Sequence, residues 1–505
     1  MCSYDEPFHF VSFQATISAL LQTFALLFRY DQTHRMGSFN FGFEDYEDFK
    51  DDSRLENLAA HFEQEGSSGY FDSDTLEEIA SYYFEQGRFE ESLRVVDRSL
   101  EMHPYSSDGW MRRGILLNNM GRHAEALDAY DKALELNPTD LETLVNRGIT
   151  LDSLDDPERA LQSYEDALRL DPNNEEALFN NGVTLERLNR IAEAISVFNL
   201  CAEQNPEHPE VWYELGFCFD RISKEEDSVA CYDRHLDIDP YSHDAWYNRG
   251  IVLNRIARYR EAVDSYDMAI VISDEFASAH YNRGNALANL GELKEAIVSY
   301  KRVLEIEGDD AATCYNIALA FEELKLFESS IHYFEKALEV DENYAEAWYG
   351  LGCCYDALER FEEALSFFNR AVVLSPETSD FWHAKADCAY NLGRLPEAVN
   401  AYRTVIKVAP DNRDAWMDYA ETLFEAGQLE EALEAYARAL KLKPDCAKAY
   451  FHQAKALFAL GNSEETVRSI KMAFGLDPKQ KETFPQAYPE LYRDQRIRRM
   501  LDLDK

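Results

Sequence analysis

The sequence predicts an all-α fold, a solenoid of tandem helix-turn-helix repeats. Three observations predict it. One residue pattern returns every 34 residues from Ser73 to Gln480 with no insertion or deletion. Small residues hold the eighth and twentieth positions of each unit, with aromatic and branched residues at helical spacing around them. Gly and Pro recur at fixed places where helices must end. A fixed period of this length means stacked supersecondary units, each burying its apolar face on the next.

Residues 1–72 precede the array. Phe10 to Phe28 is the most apolar stretch, yet six of its 19 residues are Ser, Thr or Gln, and Gln14, Ser18 and Gln22 form a polar stripe. Asp5 and Glu6 stand before it with no Lys or Arg, the reverse of a secretory leader. Three readings stay open: an amphipathic helix, a poor membrane anchor, or an over-extended start whose initiator is Met36. From Phe41 to Asp72 ten acidic residues face only Lys50 and Arg54, which reads as an acidic arm. Arg54 to Glu65 reads as one short helix, and the following GSSG as a linker.

The twelve units begin at Ser73, Ser107, Leu141, Glu175, Pro209, His243, Ala277, Ala311, Ala345, Ser379, Arg413 and Ala447. Position 8 is Gly or Ala in all of them, and position 20 is Ala, Ser or Thr, so two antiparallel helices can approach closely. All six tryptophans occupy position 4, and position 24 is aromatic in ten units. Positions 4, 8 and 11 share one face of the first helix, and 20, 24 and 27 one face of the second, so this stripe is the expected core. Gly stands at position 15 in six units, where the first helix ends, and Pro at position 32 in nine, where the second does. An acid at position 2 in nine units suits the positive end of the first helix. Residues 481–505 read as a C-terminal capping helix, with Arg493, Arg496, Arg498 and Arg499 as the one basic cluster. That cluster is expected to meet acidic surface of this same protein rather than nucleic acid.

Trp at position 4, Gly at 8, Ala at 20, an aromatic at 24, Ala at 27 and Pro at 32 closely resemble the tetratricopeptide repeat, over about four fifths of the chain. The resemblance implies a right-handed α-α superhelix whose inner wall is lined by the first helix of each unit. It also implies that positions 2, 5, 6, 9, 12 and 13 face that wall. Two columns stand out there. Position 6 is Asn in Asn146, Asn180, Asn248, Asn282 and Asn316, interrupted by Glu214. Asn is a poor helix former, and its carboxamide can both donate to and accept from a peptide backbone. The superhelix of O-GlcNAc transferases carries a similar ladder. Position 5 is Tyr in Tyr213, Tyr247, Tyr281, Tyr315 and Tyr349. The two columns together suggest a peptide track, although Tyr-Asn here also approaches the repeat's own consensus. Arg113, Arg147, Arg249 and Arg283 at position 7 are expected to reach neighbouring carboxylates instead of ligand. The carboxylate clamp of chaperone-binding relatives is missing, since position 5 is never Lys and Asn285 is the only Asn at position 9.

Composition narrows the function. Fifty basic against 95 acidic residues give a net charge of −45, which repels nucleic-acid backbones and favours basic partners. Nine cysteines, an odd number without a CxxC pair, point to reduced thiols in a cytoplasmic setting. Cys218, Cys354 and Cys388 share one small slot in the first helix, and Cys231 with His235 does not complete a metal set. No phosphate loop, nucleophile elbow or zinc motif appears. The expectation is a non-catalytic, cofactor-free scaffold that binds basic or extended protein segments in a groove. The alternative is a membrane-associated assembly factor anchored through residues 10–28.

Overall fold

The computed structural model describes residues 52–65 and 71–501, and among them every regular element is a helix. The apolar stretch at 10–28, most of the acidic arm and the GSSG linker lie outside the described residues. The chain forms two compact units, one ending at Ile256 and the other starting at Ala257.

In the first unit, helix Asp52–Glu65 precedes five helix pairs and a sixth first helix, His243–Arg255. The leading helix buries Leu55 and Ala59. The Tyr83 hydroxyl donates to the Ala59 carbonyl at 3.2 Å and to Glu63 at 3.0 Å, tying it to the first repeat. The second unit opens with Tyr259–Ile272, continues through six pairs from Ala277 to Leu476, and closes with three short helices. Each first helix begins at the first residue of a 34-residue period, from Ser73 to Ala447.

The two helices of a repeat meet where the small residues stand. A Cβ built on Gly182 would sit 2.5 Å from the Phe198 ring, and one on Gly216 would sit 2.9 Å from Tyr232. The aromatic at position 24 thus packs directly on the backbone of position 8, so that where position 8 is Gly even a methyl group would force a shift. These rings (Tyr130, Tyr164, Phe198, Tyr232, Tyr300, Phe334 and Phe368 among them) are fully buried, each stabilising its repeat by roughly 1.5–3 kcal/mol. Where position 20 is Ser, its hydroxyl donates across the pair: Ser92 to the Ala80 carbonyl at 2.7 Å and Ser228 to that of Gly216 at 2.7 Å. Cys218, Cys354 and Cys388 are buried in the first-helix slot.

The tryptophans differ from the expected core stripe. All six are half-buried, and each indole N–H donates to the carbonyl six residues earlier, as in Trp110 to Pro104 at 3.0 Å and Trp416 to Pro410 at 2.8 Å. Position 4 therefore braces the turn between repeats. The loop ends in a side-chain cap in several repeats: Ser106, Asn174 and Asn412 accept the backbone N–H three residues on.

Position 15 takes the left-handed conformation in all twelve repeats, not only in the six with Gly: φ is 61° at Lys325 and 59° at Glu359. The turn geometry demands it, and a non-Gly residue there costs roughly 1 kcal/mol. The C-terminal cap also departs from one helix. Pro489 forces Tyr488 out of the helical region (φ −133°, ψ 63°), giving Gln480–Ala487, Pro489–Arg493 and Gln495–Met500. Phe484, Leu491, Ile497 and Leu501 still bury against Phe451, Ile470 and Ala473 of the last repeat.

Candidate peptide-binding face

The Tyr and Asn columns interlock. The Asn248 amide donates to the Tyr213 hydroxyl at 2.8 Å, and Asn316 donates to Tyr281 at 2.9 Å. Both pairs span 35 residues, so position 5 of one repeat holds position 6 of the next. Asn180 spends one amide hydrogen on its own helix, donating to the Glu176 carbonyl at 2.9 Å. Four position-5 rings also lean on the position-24 aromatic of their own repeat: Tyr213 on Tyr232, Tyr281 on Tyr300 and Tyr349 on Phe368 with centroids 5.8 Å apart, and Tyr315 on Phe334 at 5.6 Å. Tyr349 stacks further on Phe381 of the next repeat at 4.8 Å.

Burial divides the ten residues. Asn146, Asn180, Asn282, Tyr213 and Tyr315 are nine-tenths or more buried. Tyr247, Asn248, Tyr281, Asn316 and Tyr349 keep part of their surface open. Burial raises the Tyr281 and Tyr315 phenols above their ordinary range, so both stay neutral hydrogen-bonding groups. The position-7 arginines reach back 16 residues, with Arg113 on Asp97 at 2.8 Å, Arg147 on Asp131 at 2.7 Å and Arg249 on Asp233 at 2.6 Å.

Position 12 of the first helix carries a carboxylate column that single-column reading passed over. In the first unit two of these acids are matched by arginines. Asp152 is buried, accepts from Thr184 at 2.7 Å and Tyr164 at 3.0 Å, and pairs with Arg187 at 2.8 Å. Asp220 pairs with Arg255 in the same way. Burial raises both carboxyl pKa values, and the arginines oppose it. In the second unit the equivalent acids are Glu322 and Asp356. No described residue gives either carboxylate a hydrogen bond or an ion pair, and Ala357 and Asn391 stand where an arginine would be needed. Burial lifts Glu322 to about 7, with only partial relief from Lys325. Asp356 is raised by burial and then by Asp387. Tyr349 and Cys353 both feel the Glu322 charge, which places this acid among the half-open groups of the same face. The signal was present in the sequence as positions 12 and 13 read jointly, 35 residues apart.

Further along the second unit, His383 bridges Asp387 at 3.3 Å and Asp418 at 3.2 Å. Burial alone would lower its pKa, but the hydrogen bonds to the two carboxylates lift it to about 10, so it is an imidazolium. Position 12 then turns aromatic, as half-buried Tyr390, Phe424 and Phe458.

A cleft of about 270 Å³ lies beside the leading helix, lined by Phe62, Glu63, Tyr83, Glu91, Arg94 and Asp97 among others. Glu63 and Glu91 are engaged by Tyr83 and Arg88, and Asp97 by Arg113, an arrangement of ion pairs with no nucleophile beside a base. Among the described residues no group of three or more His, Cys, Asp or Glu could hold a metal ion. The eight described cysteines are free thiols. No described helix is long and apolar enough to cross a membrane.

Four family models, each described as tetratricopeptide repeat, match residues 315–378, 383–445 and 421–466; 107–140 and 277–310; 153–216; and 129–162, together more than half of the chain. A search of the curated proteins found no match. Among solved structures, the MamA protein is 24% identical over 33% of this chain and 91% of its own, with a TM-score of 0.32. YrrB, a TPR protein with an unusual peptide-binding site, is 23% identical over 35% of this chain and 92% of its own, with a TM-score of 0.34. A tetratricopeptide repeat protein from Parabacteroides merdae ATCC 43184 is 17% identical over 49% of this chain and 98% of its own, with a TM-score of 0.37. The helix pairs, their period and the family matches agree: this chain belongs to the tetratricopeptide repeat family.

Proposed function

We propose that this protein is a non-catalytic, cofactor-free interaction scaffold that binds extended protein segments bearing Lys or Arg along the first helices of its repeats, in a cytoplasmic setting. The observation that carries this reading is the pair Glu322 and Asp356, half-buried acids without a cation of their own. A carboxylate partly removed from water gains most from an arriving ammonium or guanidinium. The proposed peptide contacts are Tyr247 and Asn248 in the first unit, and Tyr281, Asn316 and Tyr349 in the second. Asn248 and Asn316 each spend one amide hydrogen on a tyrosine and keep a carbonyl oxygen and a second hydrogen for a peptide backbone. Asn146, Asn180, Asn282, Tyr213 and Tyr315 would support that surface from behind. The net charge of −45 makes the encounter with basic segments fast and salt-sensitive. The membrane-anchored alternative rests on residues 10–28, and no observation on the described residues favours it.

The test is fluorescence anisotropy with an extended dodecapeptide carrying three lysines, against the same peptide with three glutamates. Binding of the lysine peptide should strengthen as pH rises through about 7, because Glu322 acquires its charge there. The Asn248→Ala/Asn316→Ala variant should bind it about tenfold more weakly, two backbone hydrogen bonds being lost. Equal affinity for the two peptides would sink the reading.

A further inference from the structure

The charge of this chain is polarised from end to end. The whole carries −45, yet residues 438–501 hold thirteen basic against seven acidic residues. Residues 44–52 hold six acids (Glu44, Asp45, Glu47, Asp48, Asp51 and Asp52) with Lys50 as the one base, and Phe41, Phe43, Tyr46 and Phe49 stand among or beside them.

At the basic end three arginines stand open. Arg493, Arg496 and Arg499 are exposed, and none of their side chains makes an ion pair or hydrogen bond with another described residue. Most described arginines elsewhere are engaged, as Arg113 is by Asp97, Arg187 by Asp152 and Arg394 by Glu362, and those that are not (Arg94, Arg370 and Arg468) stand singly rather than in a cluster. The patch is also firmly backed. Asp494 caps helix Gln495–Met500 by accepting from the Arg496 and Ile497 N–H groups, each at 2.9 Å. Ile497 and Leu501 bury inward. Arg496 and Arg499, three residues apart, therefore stand together on one face. Arg498 lies 5.0 Å over the Tyr492 ring, so guanidinium and aromatic groups already pair at this end.

We propose that this arginine patch docks the acidic, aromatic-bearing segment 44–52 of a second copy of the chain, joining copies head to tail. Charge complementarity selects the segment, since six carboxylates answer three unpaired guanidiniums and the interleaved rings offer faces for stacking. The two partners sit at opposite ends of the twelve-repeat array in sequence. The acidic segment runs directly into the helix that Tyr83 pins to the first repeat. Pairing between copies satisfies both ends with no constraint from the repeats between them. The contact is heterologous, so copies add in rows unless a rotation closes a ring.

Sedimentation velocity of the full chain over a range of concentrations tests this. The average mass should rise with concentration at low salt and fall to one copy at high salt, as the screening length shrinks from about 10 Å at 0.1 M to about 3 Å at 1 M. Arg493→Glu/Arg496→Glu/Arg499→Glu should weaken association about tenfold or more, as should Glu44→Lys/Asp45→Lys/Glu47→Lys/Asp48→Lys. A chain carrying all seven changes should associate again, because the charges are exchanged at both ends. Thermal unfolding like that of the unchanged chain shows that the exposed substitutions leave the fold intact. A single-copy mass at every concentration in low salt overturns the proposal. So does association that neither charge reversal weakens. Binding of the lysine dodecapeptide is read separately and stays unchanged in the patch variant.

Discussion

Asp152 and Glu322 occupy the same position of their repeats and live in opposite circumstances. Asp152 is buried with a cation, a threonine and a tyrosine turned toward it. Glu322 is half-buried with none of these. The helix carrying each is built alike, and the contrast comes from the three partners: Arg187 and Thr184 in one case give way to Ala357 and Cys354 in the next repeat of the other, and Tyr164 gives way to Phe334, which has no hydroxyl. The repeat supplies a slot, and the neighbouring repeat decides whether an acid there is a joint or an open charge. Joints hold repeats together, whereas open charges are available to something else.

The largest effect should come from breaking the joint. Arg187→Ala leaves Asp152 buried without its cation, and stability should fall by roughly 2–4 kcal/mol. Urea unfolding would show it as a lower midpoint, with hydrogen exchange faster in residues 141–187. Adding Asp152→Asn should recover part of the loss. An unchanged midpoint would mean that Thr184 and Tyr164 hold Asp152 without help.

Building the missing joint comes next. Ala357→Arg places a guanidinium 35 residues after Glu322, as Arg187 stands after Asp152. Carbon-13 titration should then find Glu322 falling from about 7 toward its ordinary 4.5. Affinity for the lysine peptide should drop about tenfold, since the acid is now answered internally. A carboxyl that still titrates near 7 would show that position 13 does not reach it.

The smallest effect is a pH signature in stability. The folded Glu322 carboxyl titrates near 7, above its ordinary 4.5. Between those values the native state holds more protons than the unfolded chain. Stability therefore declines as pH rises through that window and stays reduced above it. Glu322→Gln removes the penalty, so its Tm should exceed that of the unchanged chain by about 1–3 °C at pH 8 and converge with it near pH 4.5. A constant offset across pH would assign the gain to packing.

The sequence made the helices and their period plain because each column answers one steric demand. Gly182 must be small since Phe198 lies on it, and that holds whatever the rest of the repeat does. Other features depended on two repeats at once and stayed hidden. Tyr213 and Asn248 read as two separate columns facing a ligand, while in space they hold one another. Lys325 and Glu359 carry no sign of the left-handed turn they adopt, because the turn is imposed by the helices on either side. The single expected capping helix breaks at Tyr488, where the following Pro489 could have warned of it.

The tryptophan brace has an optical consequence. Each of the six indoles is hydrogen-bonded to the turn at the entry of its own repeat, in repeats 2, 5, 6, 9, 10 and 11. Emission from each reports on one junction, and the rest of the chain contains no tryptophan to blur the signal. Replacing all but one with Phe turns the protein into its own ruler of unfolding. Trp110 alone then reads the front of the array and Trp416 alone the back, so the order in which junctions open can be timed by colour, without any label.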